Sequence, residues 1–209
     1  MKTKSDINET RHASSTGSAT GPSMPKSREN LRALTEAALL ITIGFVLSWF
    51  RLLPDIWPYG GSVTPLSMLP LLMIGLRRGL KWGLGSGVVY ACLQMLQGIS
   101  FPPAATAAPY ISVILLDYIV AFTVLGLSGL FKGRKNGLLY AIPLCLFLRF
   151  LCHFTTGIFI WDIYAEGMPP WLYSLSYNGP YMAAELVFTM ITGAILCKTT
   201  PMLFTVKPR

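Results

Sequence analysis

The sequence is poor in charged residues. Of its 209 residues only 12% are Asp, Glu, Lys or Arg, where an average soluble domain has about 25%. The hydrophobic share is 53% and the mean hydropathy is +0.54. So few charges cannot cover a water-facing surface, which argues against a soluble enzyme and against a disordered chain. In a bilayer the same length suits roughly six spans of about 20 residues each.

Motifs of catalysis and metal binding are also missing. The sequence has no G-x-x-x-x-G-K-S/T loop for ATP, no H-E-x-x-H and no G-x-S-x-G. Its two histidines and four cysteines do not have the spacing of a metal site. We therefore predict no enzyme, no metal and no cofactor. The cysteines lie in apolar segments and are interpreted as small buried hydrophobes: Cys92, Cys145, Cys152 and Cys197.

Six apolar segments follow a polar N-terminal stretch. Residues 1–30 are rich in Ser, Thr, Gly and charge, which predicts a disordered tail, and residues 201–209 form a short C-terminal tail. The second apolar segment is short and contains Pro65 and Pro70, so we expect it to be bent or buried by its neighbours. The predicted fold class is an all-α integral membrane protein, a six-transmembrane-helix bundle in residues 31–200. Its segments are 34–53, 63–76, 79–99, 110–131, 138–161 and 179–198.

The basic residues are distributed asymmetrically around these spans. Six lie in the N-terminal tail, three between segments 2 and 3, three between segments 4 and 5, and three at the C-terminus, so 15 of the 17 share one side. The positive-inside rule then predicts that both termini are cytoplasmic in a multi-pass protein of the cell membrane. The loops 54–62, 100–109 and 162–178 face outward. The net charge of +8 is thereby explained without a nucleic-acid partner.

Aromatic residues concentrate on the predicted outward side, together with three carboxylates. Aromatic walls with carboxylates suit a flat, cationic ligand through stacking and cation–π attraction. An interfacial aromatic belt is the alternative explanation for any single ring. The residues concerned are Trp57, Tyr59, Phe101, Tyr110, Trp161, Tyr164, Trp171, Tyr173 and Tyr177, with Asp55, Asp162 and Glu166.

Four ionisable side chains fall inside the predicted spans: Asp117, Arg149, His153 and Glu185. A charge in hydrocarbon costs about 2.5–3.5 kcal/mol on the insertion scale, so each group is a candidate for function. Mutual neutralisation, such as an Asp117–Arg149 pair, is the structural alternative. Residues spaced by four form one stripe along a helix, and here that stripe climbs toward the outer face as the wall of a pocket. It consists of Arg149, His153, Gly157 and Trp161.

Rows of small residues at helix-contact spacing occur in segments 1 and 3. Such rows let helices approach closely, either within the bundle or against a partner subunit. Both possibilities stay open for each row. The rows are Ala33 with Ala37, Ala38 with Thr42, and Gly79 with Gly83 and Gly87.

Several longer stretches together carry a family resemblance. They include Leu34-Thr35-Glu36-Ala37-Ala38, Gly60-Gly61-Ser62, Arg77-Arg78-Gly79-Leu80 and Leu116-Asp117-Tyr118. The most specific runs from Arg149-Phe150-x-x-His153-Phe154 through Gly157 and Trp161 to Tyr173-Ser174-Leu175-x-Tyr177-Asn178-Gly179. Over about residues 34–198 the chain resembles the thiamine-specific substrate-binding subunit (S-component) of energy-coupling factor vitamin transporters.

The resemblance implies a six-helix membrane protein that binds thiamine near the outer face. It also implies a complex, within membrane lipid, with a transmembrane coupling subunit and two cytoplasmic ATPases. The coupling subunit is expected at Ala38 and Thr42, where the family has Ala-x-x-x-Ala. Some family members carry Glu where Asp117 stands. By position the implied thiamine-binding residues are Asp117, Tyr118, His153, Gly157, Trp161, Tyr173 and Asn178, with Tyr59 of the first loop, where Trp57 is the other candidate to cover the pocket.

The expected function is that of a non-enzymatic, high-affinity thiamine-binding subunit of an ATP-driven importer. An S-component for another vitamin, or for a precursor such as a hydroxymethylpyrimidine, is the first alternative. The second is a stand-alone transporter that uses Asp117 and Arg149 as a proton relay, and a small membrane enzyme ranks last. The expected roles are charge and hydrogen bonding from Asp117, polar contacts from His153 and Asn178, and ring faces from Trp161 and Tyr173.

Overall fold

The described part of the chain, residues 26–52, 61–103 and 106–200 of this computed structural model, folds into six helices. Outside them these residues contain a short 3-10 turn, Asp162–Tyr164, and an isolated antiparallel bridge between Leu52 and Val63. The all-α prediction is confirmed. The helices are α1 (Lys26–Leu47), α2 (Leu69–Arg78), α3 (Leu80–Gln97), α4 (Ala107–Phe131), α5 (Gly137–Phe159) and α6 (Pro170–Thr199).

Four of these helices are long and apolar enough to cross a membrane. They are α1, α4, α5 and α6, with 22, 25, 23 and 30 residues. In contrast, α2 has 10 residues and rises about 15 Å, roughly half the thickness of the hydrocarbon core. Most of α2 is buried by its neighbours, as expected for the short second segment, so its short length does not expose its ends to lipid.

The core of the bundle forms around α2. Leu72 of α2 is fully buried and belongs to one cluster with Tyr90 of α3, Leu125 of α4 and Ile142 of α5, all equally buried. The Tyr90 hydroxyl donates to the Gly44 carbonyl oxygen at 3.1 Å, which ties α3 to α1. Because lipid is as apolar as these side chains, close packing and internal hydrogen bonds hold such a core together.

Glycines let α3 pack directly against α4. A Cβ at Gly83 would lie 2.5 Å from the Gly126 carbonyl oxygen, and one at Gly87 would lie 2.7 Å from the Phe122 carbonyl oxygen. Any larger residue there would force the two helices apart. These glycines therefore pack within the bundle. Gly79, the single residue between α2 and α3, has φ +96°, a backbone conformation that favours glycine.

The two small-residue rows of α1 face opposite ways. Ala33 and Ala37 are 3% and 4% exposed and pack inside the bundle. Ala38 and Thr42 are exposed, and the Thr42 hydroxyl donates to the Ala38 carbonyl oxygen at 2.9 Å, so it is satisfied within its own helix. Only the second row is therefore on a surface that lipid or another protein could contact.

The last helix is longer than predicted. It begins at Pro170, so residues 170–178 are helical, although the sequence pattern assigned them to an outward loop. Gly179 and Pro180, at the predicted boundary, are residues that commonly break helices. Here α6 continues through both residues, as helices in membranes do where neighbouring groups satisfy the freed backbone. The first helix is shorter than predicted at its C-terminal end: α1 ends at Leu47, whereas the first apolar segment was predicted to extend to residue 53.

A charged cluster joins α1 to α2. The Glu36 carboxylate forms ion pairs with both Arg77 and Arg78, and the Arg78 Nε–Oε2 distance is 2.8 Å. The Lys132 ammonium, just after α4, donates to the Arg78 carbonyl oxygen at 3.4 Å. These contacts join residues 41 to 54 positions apart, which is why the sequence pattern alone does not reveal the cluster.

Candidate ligand-binding site

A cavity of about 330 Å³ opens between α3, α4, α5, α6 and the segment that precedes α2. Seven of the eight predicted binding residues line it. The eighth, Tyr59, lies outside the described residues, as does Trp57. The seven are Asp117, Tyr118, His153, Gly157, Trp161, Tyr173 and Asn178. Residues from two predicted spans and from the predicted outward loop 162–178 therefore meet at one place, although their role in binding stays a prediction.

Asp117 lies on an unusual stretch of α4. Residues Val113–Val120 form a π-helix between an ordinary α-helical start and a 3-10 helical end. The wider turns of a π-helix are rare and occur most often at functional sites. No residue pattern in this apolar stretch distinguishes it from an α-helix, so the sequence does not predict it.

The Asp117 carboxylate is bonded on one oxygen far more strongly than on the other. Its Oδ1 lies 2.9 Å from His153 Nδ1 and accepts a hydrogen bond from the Thr156 hydroxyl at 2.6 Å. Its Oδ2 accepts a long hydrogen bond, 3.5 Å, from the Trp161 indole nitrogen. The side chain is only 13% exposed. One edge of a desolvated anion is thus held rigidly, and the other edge has capacity for a ligand.

His153 has one ring nitrogen committed to the protein and one directed elsewhere. Because Nδ1 lies next to a carboxylate, which can only accept, we assign the neutral tautomer whose ring hydrogen is on Nδ1. Nε2 is then an acceptor. It is buried and has no hydrogen-bond partner among the described residues. A buried acceptor without a partner is costly, so a donor on a bound ligand would relieve that cost.

The indole of Trp161 reaches the cavity from beyond the end of α5. The predicted stripe assumed that the helix extends to residue 161, but α5 ends at Phe159. The Trp161 backbone N–H donates to the Thr156 carbonyl oxygen at 3.1 Å, a wider turn that takes the residue off the helix. Its ring stacks with that of Tyr164 at a centroid distance of 6.1 Å. The stripe is therefore confirmed through Gly157 and interrupted after it.

Helix α6 supplies the opposite wall. Tyr173 is 9% exposed and its ring lies 6.0 Å from that of Tyr177. The Asn178 amide donates to the His153 carbonyl oxygen at 3.2 Å and accepts from the Tyr181 hydroxyl at 2.7 Å. Asn178 thus connects α6 to α5 directly behind the histidine.

Gly157 allows this close approach of the two helices. A Cβ there would overlap the Ser174 hydroxyl, lie 2.7 Å from the Ser174 Cβ and lie 3.1 Å from Asn178 Nδ2. Helix α6 therefore takes up most of the space beside the glycine. The same residue still contributes to the lining of the cavity.

Arg149 contributes a buried positive charge to the cavity wall. Its guanidinium carbon lies 4.0 Å from the centroid of the Phe122 ring, and Nη1 donates to the Ala121 carbonyl oxygen at 3.4 Å. Within the described ranges it forms no ion pair with Asp117, so the proposed neutralising pair is absent there. The cation is instead stabilised by an aromatic face and a carbonyl oxygen.

Several lining residues escaped the sequence analysis as binding candidates. Tyr181 continues the four-residue spacing of Tyr173 and Tyr177 along α6, a pattern that could have revealed it. Thr156 has no such signal, because it lies outside the four-residue spacing that links His153 to Gly157. Phe101, one of the outward aromatic residues, is not part of the cavity lining; its ring packs on that of Tyr110 at a centroid distance of 5.2 Å. Other unpredicted lining residues are Ser48, Arg51, Thr64, Ser67, Tyr90, Gln94 and Gln97.

These features define a class of protein: a helical membrane protein with an aromatic-lined cavity around a part-buried carboxylate. Residues 34–205 match the family described as thiamine transporter protein (Thia_YuaJ). The match extends over most of the chain, and the chain belongs to that family.

Similar proteins agree with this assignment. The thiamine transporter ThiT of Bacillus subtilis is 31% identical over 194 residues, which are 86% of this chain and 97% of the relative. ThiT of Lacticaseibacillus paracasei is 26% identical, covering 87% and 94% of the two chains. The solved structure of ThiT from Listeria monocytogenes superposes with a TM-score of 0.69 at 26% identity, covering 84% and 98%. The family resemblance inferred from sequence is confirmed, and with it a transport protein of the cell membrane.

We expect Gly157→Ala to lower the unfolding midpoint of the protein in detergent, since overpacking of this kind costs about 1–3 kcal/mol. Adding Ser174→Gly removes the side chain that the new Cβ would meet, so the double variant should regain part of the loss. Gly85→Ala is the control, because a Cβ there meets nothing within 4 Å. A single variant as stable as the unmodified chain, or a double variant with no recovery, would contradict the direct contact.

Proposed function

We propose that this chain captures thiamine at the outer face of the cell membrane, in the cavity around Asp117, as the S-component of an energy-coupling factor importer. One observation carries the proposal. The Asp117 carboxylate, only 13% exposed and with a single long hydrogen bond on Oδ2, lies among aromatic rings in a cavity of about 330 Å³. Together with membership of the thiamine transporter protein family, this arrangement favours a flat cationic ligand.

The chemistry of thiamine matches the cavity group by group. Its thiazolium ring carries a fixed positive charge, which Asp117 would attract at close range in a desolvated site. Its pyrimidine ring carries an amino group that could donate to the unpartnered Nε2 of His153. Trp161 and Tyr173 would supply ring faces for stacking. Tyr118, Gly157 and Asn178 would shape the remaining walls.

The transport step requires partners in this proposal. The sequence contains no phosphate-binding loop, so ATP hydrolysis would occur on two cytoplasmic ATPase subunits. A transmembrane coupling subunit would dock on the exposed face of α1 at Ala38 and Thr42, where small residues permit close helix contact. Lipid would cover the rest of the six-span bundle. Both termini would be cytoplasmic, on the side that carries most of the basic residues.

We expect Trp161→Ala to weaken thiamine binding by at least about 1 kcal/mol, roughly fivefold in Kd, because a stacking face is lost. Isothermal titration calorimetry on the purified chain measures this without relying on the removed fluorophore. Trp171→Ala is the matched control, since Trp171 is 53% exposed and should leave Kd unchanged. Equal affinities for the Trp161 variant and the unmodified chain would remove Trp161 from the site.

We expect Asp117→Asn to weaken thiamine binding by about tenfold or more, because the charge that attracts the thiazolium is lost while one acceptor oxygen remains. Binding of a neutral hydroxymethylpyrimidine should change much less. Asp162→Asn, an exposed carboxylate on the adjacent turn, is the control. Equal losses for thiamine and the neutral pyrimidine would argue that Asp117 recognises the pyrimidine, and would favour a precursor as the natural ligand.

A further inference from the structure

The segment that leads into α2 is irregular, yet it lies inside the protein. Residues 61–68, here termed the strap, precede the helix that starts at Leu69. Val63, Ser67 and Met68 are only 2–3% exposed. Gly61, Ser62 and Thr64 form part of the cavity lining. Irregular backbone at membrane depth is tolerated only where its polar groups find partners in the protein or face a cavity, so the partners of the strap are informative.

One face of α6 supplies these partners. The Tyr177 hydroxyl accepts from the Gly61 backbone N–H at 3.2 Å. Val63 packs in a small cluster with Tyr181. One turn further, Glu185 binds the next residue of the strap, Thr64. The three α6 residues are four positions apart, so they form one continuous stripe along the helix.

Glu185 makes the strongest of these contacts. Its Oε1 accepts from both the backbone N–H and the hydroxyl of Thr64, the latter at 2.9 Å. The Thr64 hydroxyl also lies 2.9 Å from that of Ser67, which extends the contact along the strap. Glu185 is 0% exposed, and its Oε2 has no hydrogen-bond partner in the described part of the chain. A fully buried carboxylate is expensive, and this one is directed at the strap rather than at the cavity.

We infer that Glu185 is a positioning residue for ligand capture: it fixes the strap as a wall of the cavity and thereby slows escape of the bound molecule. The inference rests on the proposed function of thiamine capture. Glu185 does not touch the ligand in this scheme. It acts through Thr64, which it joins to the same helix that carries Tyr173 and Asn178.

This role predicts a kinetic signature. Loosening the strap opens a wall of the occupied site, so the dissociation rate rises while association, which needs an open site, changes little. A residue that merely stabilises the bundle would instead lower the unfolding midpoint without separating the two rates. If Glu185 only balanced the charge of Arg149, then any neutral replacement of Glu185 would impair binding equally.

The test compares Glu185→Leu, Glu185→Gln and Thr189→Val in the full chain in detergent, with thiamine as the probe. Stopped-flow tryptophan fluorescence gives association, and displacement by excess ligand gives dissociation. Glu185→Leu should raise the dissociation rate about tenfold or more and change association by less than about threefold. Glu185→Gln keeps an acceptor oxygen for Thr64 and should stay within about threefold of the unmodified chain. Thr189 lies one turn further along α6 and is equally buried, so Thr189→Val should leave both rates unchanged.

Two outcomes overturn the inference: Glu185→Leu with an unchanged dissociation rate, or Glu185→Gln as damaging as Glu185→Leu. If Glu185→Leu does not fold, Thr64→Val and Thr64→Ser replace it. The valine variant loses the hydroxyl contact and should dissociate faster, and the serine variant should not; equal rates in both would reject the role.

Failure of the proposed function is recognised separately. If the unmodified chain does not bind thiamine, maleimide labelling of Ser62→Cys, corrected for the native cysteines, tests the strap without ligand. Labelling should be faster when Glu185→Leu is added and unchanged when Thr189→Val is added. Equal labelling rates with and without Glu185→Leu would reject the anchoring role whatever the ligand is.

Discussion

The carboxylate of Asp117 is the group on which the arrangement of the site depends. A charge inside a membrane protein persists only where donors surround it. Here the donors come from α5 and from Trp161, two residues past its end. His153 and Thr156 bind one carboxylate oxygen at 2.9 and 2.6 Å, which orients the helix faces that carry them. The π-helical turns of α4 and the unwound end of α5 both occur beside this contact. Local departures from regular helix thus accompany the part-buried carboxylate that lines the cavity.

Close packing makes this geometry possible without a hydrophobic driving force between helices. Glycines allow α3 to touch α4 and α5 to touch α6 at distances that no side chain permits. The buried polar groups then act as specific contacts between these surfaces, as the Asn178 amide does between α6 and the backbone of α5. The buried acid Glu185 makes the same kind of specific contact between α6 and the irregular strap, because it binds the backbone N–H and the hydroxyl of Thr64. Function and stability therefore draw on the same small set of polar residues.

The sequence was sufficient to predict the all-α class, the six helices and seven residues that meet at the cavity. Hydropathy marks spans directly, and residues four apart on a helix share a face, which grouped His153 with Gly157. The family resemblance, rather than spacing, supplied Tyr118, Tyr173 and Asn178. The sequence pattern failed at the start of α6, where Gly179 and Pro180 indicate a break that tertiary packing overrides. It also missed the contacts of Thr156 with Asp117 and of Glu185 with Thr64, which join residues 39 and 121 positions apart. Such pairings depend on which helices become neighbours, and no local pattern encodes that.

The most direct test is the identity of the small molecule released on denaturing the protein after purification from thiamine-supplied cells without added ligand. Mass spectrometry of the released fraction gives both its identity and its amount relative to the chain. A cationic aromatic ligand held by a desolvated carboxylate and stacked rings should survive purification. We expect thiamine in roughly equimolar amount. A neutral pyrimidine or an unrelated vitamin in that amount would contradict the account.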